Sequence, residues 1–450
     1  MNDFFFARSQ MAVSLAFHIV FAAIGMGMPL LMAIAEWRYL RTGDAGYLDL
    51  AKRWAKGTAV FFAVGAVSGT VLSFELGLLW PGFMKYAGAI IGMPFSLEGF
   101  AFFTEAIFLG IYLYGWKRIS PRMHWLAGVI VAASGIFSGI FVVTANAWMN
   151  APAGFRVVNG APVDIDPVAA MLNPASLHEV LHMTLAAYVA TAFAVASVHA
   201  FFLLRDRGSL FHRRAFTISL AVGCIAIPLQ LASGDLSARV VASLQPAKFA
   251  AMEGHYHTGP NAPVVIGGFA DDSTRTVRYG LEIPGFLSFL AHDDFNATVT
   301  GLDAYPRDQW PNALLVHLSF DAMVGCGSLL FLLAAAAAWK RWRKRPVADG
   351  RRFLLAAVAA GPLGFIAIET GWMVTELGRQ PWVIYGVMRT AQAVTPITGL
   401  VIPFVSFTVL YLLLSTVLVF LLRRIFLGGA ADDGSGMPAA TAETEARHAA

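Results

Sequence analysis

The segment QMAVSLAFHIVFAAIGMGMPLLMAIAE, residues 10–36, carries no charged side chain before its final glutamate. A helix that crosses the hydrocarbon core of a bilayer needs about 20 apolar residues, so this segment predicts a membrane span. The preceding residues, MNDFFFARS, form no basic n-region, and no small-residue cleavage site follows them. The segment is therefore predicted to be a retained first helix rather than a signal peptide.

The rest of the chain repeats this apolar pattern. Hydrophobic residues make up 57% of the 450 positions and charged residues only 13%, which is typical of a protein whose solvent is the bilayer. The predicted spans cover residues 10–36, 55–79, 94–116, 124–148, 176–204, 214–233, 312–339, 352–376 and 393–422. We therefore expect an all-α integral membrane protein whose residues 1–427 form one bundle of nine transmembrane helices.

The basic residues are distributed unevenly between the loops. If the N-terminus lies outside, the cytoplasmic segments contain 22 of the 32 lysines and arginines, including the run KRWRKRPVADGRR at residues 340–352. An excess of positive charge marks the cytoplasmic side, so the N-terminus is predicted outside and the C-terminus in the cytoplasm. The net charge of +4 thus reports topology, and no nucleic-acid partner is expected.

Two segments lack the apolar pattern. Residues 234–311 are polar and rich in Gly, Pro, His and Asp, and the predicted orientation makes them an extracytoplasmic loop long enough to be functional. Residues 428–450 are rich in Ala, Gly and acidic residues, which predicts a disordered cytoplasmic tail.

A few polar side chains lie inside the predicted spans, where a charge costs about 2.5 to 3.5 kcal/mol and needs a partner, a cofactor or water. They are His18, Glu75, Glu98, Glu105, His182, Asp321 and Glu369, and Met323 joins them as a possible axial iron ligand. Four of these, His18, His182, Met323 and Glu369, fall in the outer half of the membrane on four different helices. This placement is typical of cofactors held between the helices of a bundle.

Glu98 and Glu105 are seven residues apart, so they lie on nearly the same face of the third helix. Stacked carboxylates whose pKa values are raised by desolvation are suited to proton transfer through part of a membrane. The same pair is also compatible with half of a cation site, and so with an ion-coupled transporter that uses Glu369 as well.

The segment HEVLH, residues 178–182, satisfies the His-Glu-x-x-His pattern of a helical zinc site. In a membrane protein this pattern would indicate an intramembrane zinc metalloprotease. A catalytic zinc needs a third protein ligand, however, and no second motif supplies one. The protease hypothesis also leaves the four candidate iron ligands and the outer loop without a role.

Several longer motifs together resemble subunit I of the cytochrome bd-type quinol oxidases over residues 4–424. They are RSQMAVSLAFH at 8–18, LEGFAFFTEAIFLGIYLYGW at 97–116, TANAWMNAP at 144–152, LNPASLHEVLH at 172–182, AKFAAMEG at 247–254, FDAMVGCG at 320–327 and IETGWMVTELGRQPW at 368–382. The outer loop is of the family's shorter type, which leaves open a place in the cyanide-insensitive oxidase branch.

The resemblance implies a haem-binding role for the membrane domain. His182 and Met323 would be the axial ligands of a low-spin haem b, while His18 and Glu369 would each bind one haem of a pair. That pair would be a high-spin haem b and a haem d, or a further haem b. Arg379 and Trp382, in the GRQPW signature, would close over the haem region.

The resemblance also implies an activity. Lys248 and Glu253 match the loop positions that the family uses to bind and oxidise quinol, and dioxygen would be reduced to water with protons drawn from the cytoplasm past Glu105 and then Glu98. The enzyme would be electrogenic and would lie in the bacterial cytoplasmic (inner) membrane. Its partners would be the lipid bilayer and a second large membrane subunit, with a small single-helix subunit left open.

Two residues depart from the family pattern. Asp321 stands where well-known members have an arginine, two positions before the ligand methionine. Phe365 stands where they have a tryptophan, four positions before the ligand glutamate. These departures leave the haem potentials and the haem d assignment open, and the sequence also leaves open whether the quinone is ubiquinone or menaquinone.

Overall fold

The computed structural model describes residues 3–427, and the predicted tail at 428–450 lies outside this range. Within it, nine helical spans are long and apolar enough to cross a membrane. Spans 1 to 9 are Asp3–Thr42, Ala45–Leu79, Pro81–Tyr114, Pro121–Asn150, Ser176–Arg205, Leu210–Leu244, Ala313–Trp342, Arg351–Gly378 and Val401–Leu427. The expected all-α membrane bundle is confirmed.

Shorter elements occupy the connections. The short helices are Pro167–Met171, Pro246–Met252, Phe286–His292 and Thr390–Ala393, with 3-10 turns at Leu302–Ala304 and Arg307–Gln309. Four two-stranded antiparallel sheets pair Arg156–Val158 with Ala161–Val163, Val264–Ile266 with Leu281–Ile283, Phe269–Asp271 with Thr276–Arg278, and Trp382–Ile384 with Met388–Arg389.

The helix ends differ from the predicted ones where a helix continues beyond its apolar part. Span 3 begins at Pro81 rather than near residue 94, because proline fits the first turn, where its missing N–H costs nothing. Span 6 continues to Leu244 rather than ending near residue 233. The guanidinium of Arg239 bonds Asp235 one turn earlier at 3.0 Å and supports this polar extension. The connection to span 7 therefore starts at Gln245.

Span 8 is interrupted between Ala359 and Leu363. It then approaches span 5 very closely, since a Cβ on Gly364 would lie only 2.4 Å from the Cα of Ala190. The glycine allows the two backbones to touch, and this contact brings the Glu369 helix against the helix that carries His182.

Spans 1 and 5 form the centre of the bundle. In the most apolar part of each helix, 61% of the residues of span 1 and 56% of those of span 5 are buried, compared with 6% in span 9. Span 9 instead exposes large apolar side chains along its length, such as Ile402, Leu412 and Phe420, as expected for a surface that faces lipid. His18 and His182 thus lie on the two most enclosed helices.

Candidate functional site

The His182 imidazole is held by span 6. Its Nδ1 lies 3.0 Å from the hydroxyl of Ser233, and its Nε2 lies 3.1 Å from the side-chain amide nitrogen of Gln230. The other Gln230 side-chain atom, Oε1, is buried without a hydrogen-bond partner among the described residues. Ser233 thus fixes the ring through Nδ1, and the Gln230 amide would have to turn away from Nε2 before that atom could bind iron.

Met323 lies at the contact between spans 7 and 8. A Cβ on Gly371 would come within 3.0 Å of its sulfur, so the glycine makes the space that the thioether occupies. Gly371 is two residues from Glu369 in span 8. Met323 thus contacts span 8 at nearly the same height along the helix as Glu369, but on a different face.

His18 and Glu369 are the remaining candidate ligands. His18 Nδ1 lies 2.9 Å from the hydroxyl of Ser68, which itself donates to the carbonyl of Val64 at 3.0 Å. The half-buried Glu369 carboxyl forms no hydrogen bond or ion pair with any residue in the range 3–427. A carboxylate inside a membrane bundle without a protein partner is suited to neutralise a cofactor's charge.

The donor set distinguishes between kinds of metal site. In the described part of the chain, no three His, Cys, Asp or Glu side chains converge as a metal-ion cage would require. Each candidate is instead a single histidine, methionine or carboxylate, which fits a haem iron because the macrocycle supplies the other four ligands. The site therefore fits haem and does not support the zinc or cation-site alternatives.

The first two side chains of the HEVLH motif form hydrogen bonds between helices. Its first histidine, His178, lies 3.2 Å from the hydroxyl of Ser237, and Glu179 accepts a hydrogen bond of 2.9 Å from the amide of Asn150. These two side chains hold spans 4, 5 and 6 together at the end of the bundle that carries the loop after span 6.

Asn150 is the centre of a buried polar network. Its side-chain oxygen accepts hydrogen bonds from Lys248 at 2.8 Å and from Arg379 at 3.2 Å. Its amide donates to Glu179. The neutral Asn150 side chain, at the end of span 4, thus connects Lys248 and Arg379 with the Glu179 carboxylate of span 5.

A second carboxylate completes the charge balance. Glu376 accepts from Arg379 at 2.5 Å and from the amide of Asn146 at 2.7 Å. Lys248 and Arg379 are only 3% and 1% exposed, so the two carboxylates that face them offset much of the cost of burying two positive charges. The sequence identified Lys248 and Arg379 but not Asn150 or Glu179, although both lie inside the quoted motifs.

Lys248 is further held by span 8 and by its surroundings. Its stem packs where a Cβ on Gly378 would stand, 2.6 Å from the lysine Cγ. Burial lowers the pKa of Lys248, the Arg379 charge lowers it further, and Glu179 and Glu376 oppose this effect. A small cavity of about 10 Å³, the space of about one water, is lined by Asn150, Glu179 and other residues beside this network.

Glu253 is buried on the same loop, at 6% exposure, but its carboxyl forms no hydrogen bond within the described residues. Burial raises its pKa to about 8, and the charge of Asp321 adds to the rise. The surrounding loop is fixed to span 7, where His317 lies 2.8 Å from the carbonyl of Met252 and Asp321 accepts from the backbone N–H of Gly267 at 2.9 Å. The departure at Asp321 thus has a structural role as an anchor for the loop.

The two carboxylates of span 3 both face span 4. Glu98 accepts a hydrogen bond of 3.2 Å from Ser138, and a Cβ on Gly135 would lie 3.6 Å from an oxygen of the buried Glu105. Trp382 lies apart from them, in the hairpin after span 8, with the guanidinium of Arg389 5.3 Å from its ring centroid.

The fold and these donors define a class, namely a multi-pass helical membrane protein with single histidine, methionine and carboxylate donors between its helices. Residues 6–430 match the profile of the cytochrome bd terminal oxidase subunit I family. The chain belongs to this family, and it is therefore a bacterial membrane protein and one subunit of a larger oxidase.

Named relatives agree with the family. The chain is 40% identical to a putative cytochrome bd menaquinol oxidase subunit I of Bacillus subtilis, over 95% of this chain and 97% of that protein. It is 31% identical to the cytochrome bd-II ubiquinol oxidase subunit 1 of Escherichia coli, over 87% and 90% of the two chains. It also superposes on a chain of the bd oxidase from Geobacillus thermodenitrificans with a TM-score of 0.90 and 40% identity, covering 95% of this chain and 99% of that one.

Proposed function

We propose that this chain is the haem-bearing catalytic subunit of a quinol:oxygen oxidoreductase, with quinol oxidised at the outer loop. The observation that supports this most strongly is the set of four single donors on spans 1, 5, 7 and 8. A serine hydroxyl fixes the ring of each of the two histidines, and a glycine leaves space for the Met323 sulfur. The names of the relatives, as menaquinol and ubiquinol oxidases, support a quinol as the reductant.

His182 and Met323 would hold a low-spin haem b, and His18 and Glu369 would each hold one haem of a pair made of a high-spin haem b and a haem d or second haem b. When bound, the haems carry single electrons and reduce dioxygen to water. The protein's part is to orient the ligand atoms, through Ser233 for His182 and Ser68 for His18. The buried Arg379, with Trp382 nearby in sequence, would close this region on the outer side.

Quinol oxidation at the loop would use Lys248 and Glu253. A quinol gives up two electrons and two protons, so its site needs a hydrogen-bond donor for an oxygen and a base for a proton. The Lys248 ammonium can donate from within the Asn150 network. The unpartnered Glu253 carboxylate, with a pKa of about 8, is a base matched to a proton acceptor near neutral pH.

Protons for oxygen reduction would come from the cytoplasm, pass Glu105 and then Glu98, and reach the haem pair near the outer face. Each charge moved against the membrane potential stores about 2.3 kcal/mol per 100 mV, so turnover would be electrogenic without a separate pump. In this proposal the N-terminus and the loop after span 6 lie outside. The chain works in the cytoplasmic membrane with a second large subunit.

Haem reduction by two different reductants tests the quinol site. In Lys248→Met, reduction by quinol should slow at least about tenfold, whereas dithionite should reduce the same haems fully. Lys85→Met, which changes an exposed lysine on the same proposed side, is the matched control and should match the unmodified enzyme. Unchanged quinol reduction in Lys248→Met would contradict the proposed site.

A further inference from the structure

A second buried ionisable cluster lies at the opposite end of the bundle from the loop site. Glu36 of span 1 and His124 of span 4 are each only 2% exposed, and Glu36 Oε1 lies 2.7 Å from His124 Nδ1. His124 Nε2 lies 2.8 Å from the carbonyl oxygen of Tyr112 in span 3. The cluster thus joins spans 1, 3 and 4, the same three helices that surround Glu105.

The hydrogen-bond geometry fixes how many protons the pair holds. A carbonyl oxygen only accepts, so His124 Nε2 must carry a hydrogen. Nδ1 and Glu36 Oε1 then share one further proton, as a neutral pair or as imidazolium and carboxylate. Without this proton two lone pairs would face each other at 2.7 Å.

Two buried polar atoms of the cluster are unsatisfied. Glu36 Oε2 and the Tyr112 hydroxyl form no well-aligned hydrogen bond in the described part of the chain, but the two side chains face each other closely enough to hydrogen-bond. A histidine–glutamate pair that served only to hold helices together would be expected to satisfy both carboxylate oxygens. Unsatisfied atoms of this kind are where a buried water binds.

Tyr112 continues the line of carboxylates on span 3. Glu98, Glu105 and Tyr112 follow one another at intervals of seven residues, so they lie on nearly the same helix face, about 10 Å apart per step. All three face span 4, through Ser138, Gly135 and Gly128 respectively. Gly128 leaves the space for the tyrosine ring, because a Cβ there would be 2.7 Å from a ring carbon.

The cluster also has a route to the aqueous side. The ring of Trp116, in the short turn between spans 3 and 4, lies against His124 with centroids 3.8 Å apart, and the ammonium of Lys52 lies 5.3 Å from the Trp116 ring centroid. Trp116 is partly exposed. Trp116 therefore connects the buried His124 with the partly exposed turn between spans 3 and 4.

We propose that Glu36, His124 and Tyr112 form the cytoplasmic proton intake that supplies Glu105. A proton from solvent binds the His124–Glu36 pair, and a proton leaves Glu36 Oε2 for the oxygen of the Tyr112 hydroxyl facing it. The hydroxyl then gives its own proton to water molecules that carry it over the remaining distance of about 10 Å to Glu105. After one proton has passed through and the next has arrived from solvent, Glu36, His124 and Tyr112 each carry the same number of protons as before. This inference rests on the proposed function, because it supplies the protons that oxygen reduction consumes.

Single-turnover proton uptake tests the intake. The complete oxidase complex is reconstituted in vesicles, fully reduced and mixed with dioxygen, and a pH dye follows proton uptake from the cytoplasmic side. Glu36→Gln keeps the shape of the side chain without a transferable proton, and Tyr112→Phe removes only the hydroxyl that faces Glu36. Both should slow proton uptake at least about tenfold, while anaerobic haem reduction by quinol keeps its normal rate.

A matched control uses another buried histidine. His199 bonds Trp54 and His212 and lies off the Glu98–Glu105–Tyr112 face, so His199→Gln should leave proton uptake unchanged. Normal uptake in both Glu36→Gln and Tyr112→Phe, or equal slowing in His199→Gln, would overturn the intake. If the unmodified complex took up no protons from the cytoplasmic side, the proposed function itself would fail instead.

Discussion

Glu253 gives the sharpest quantitative prediction, because its burial sets a pH dependence. Replacing it with glutamine removes the carboxylate but keeps the size of the side chain. In the unmodified enzyme only the deprotonated form can accept a proton from quinol. Burial, together with the Asp321 charge, raises the Glu253 pKa from 4.5 to about 8, which disfavours the charged form by about 5 kcal/mol.

The magnitude follows from the fraction of base. With a pKa of about 8, the Glu253 carboxylate makes up about 9% of the population at pH 7, about half at pH 8 and about 90% at pH 9. Because the raised pKa keeps the group protonated at lower pH, kcat/KM for quinol should rise with pH. Lys248 limits this rise, because burial lowers its pKa to about 7 and its ammonium is lost at higher pH. We therefore expect a bell-shaped profile that rises about fivefold from pH 6 to 7 and falls again from pH 8 to 9.

The assay is steady-state oxygen consumption by the complete complex with a water-soluble quinol between pH 6 and 9. Glu253→Gln should lower kcat/KM at pH 8 by at least about tenfold and lose the rising limb. Glu282→Gln changes an exposed glutamate of the same loop and should keep both the rate and the limb. A profile of the unmodified enzyme that does not rise from pH 6 to 7, or a rising limb that persists in Glu253→Gln, would refute the reasoning.

Three further predictions concern the helices around the site. His182→Ala or Met323→Leu should remove only the low-spin haem signal from the reduced-minus-oxidised spectrum, and its retention in both would contradict the ligand assignment. Gly371→Ala should also weaken that signal, because the new methyl group would stand 3.0 Å from the Met323 sulfur; an unchanged spectrum and midpoint potential would show that the contact does not matter. Asn150→Leu removes the oxygen that accepts hydrogen bonds from both Lys248 and Arg379. The free energy of unfolding, measured by intrinsic fluorescence, should therefore fall by about 3 kcal/mol. An unchanged free energy of unfolding would mean that the network contributes little.

The sequence was sufficient to predict the spans because their number depends only on apolar length. All nine predicted spans are found among residues 3–427, each overlapping its predicted range. Helix ends were less predictable, since hydropathy measures burial in lipid while helix ends depend on local bonds. Pro81 starts span 3 well before its apolar part, and the Asp235–Arg239 pair extends span 6 beyond its own.

The site was predictable where it depended on local spacing. The separation of Glu376 and Arg379 by three residues allowed a pair, and their ion pair is present at 2.5 Å. The role of Asn150 was not predictable, because its partners Lys248 and Arg379 are 98 and 229 residues away along the chain. Only the packing of spans 4 and 8 with the loop brings them together, and no sequence periodicity encodes that contact.

The central claim is that quinol oxidation outside and proton uptake from the cytoplasm are joined in one haem-bearing complex. The most direct test is to reconstitute the complete complex in vesicles with one orientation, add quinol, and record oxygen consumption, haem absorption and membrane potential together. The account predicts haem bands that are reduced by quinol, a potential positive on the loop side, and proton loss from the cytoplasmic side. A complex without haem bands, or one that consumes oxygen with quinol but builds no potential, would contradict it.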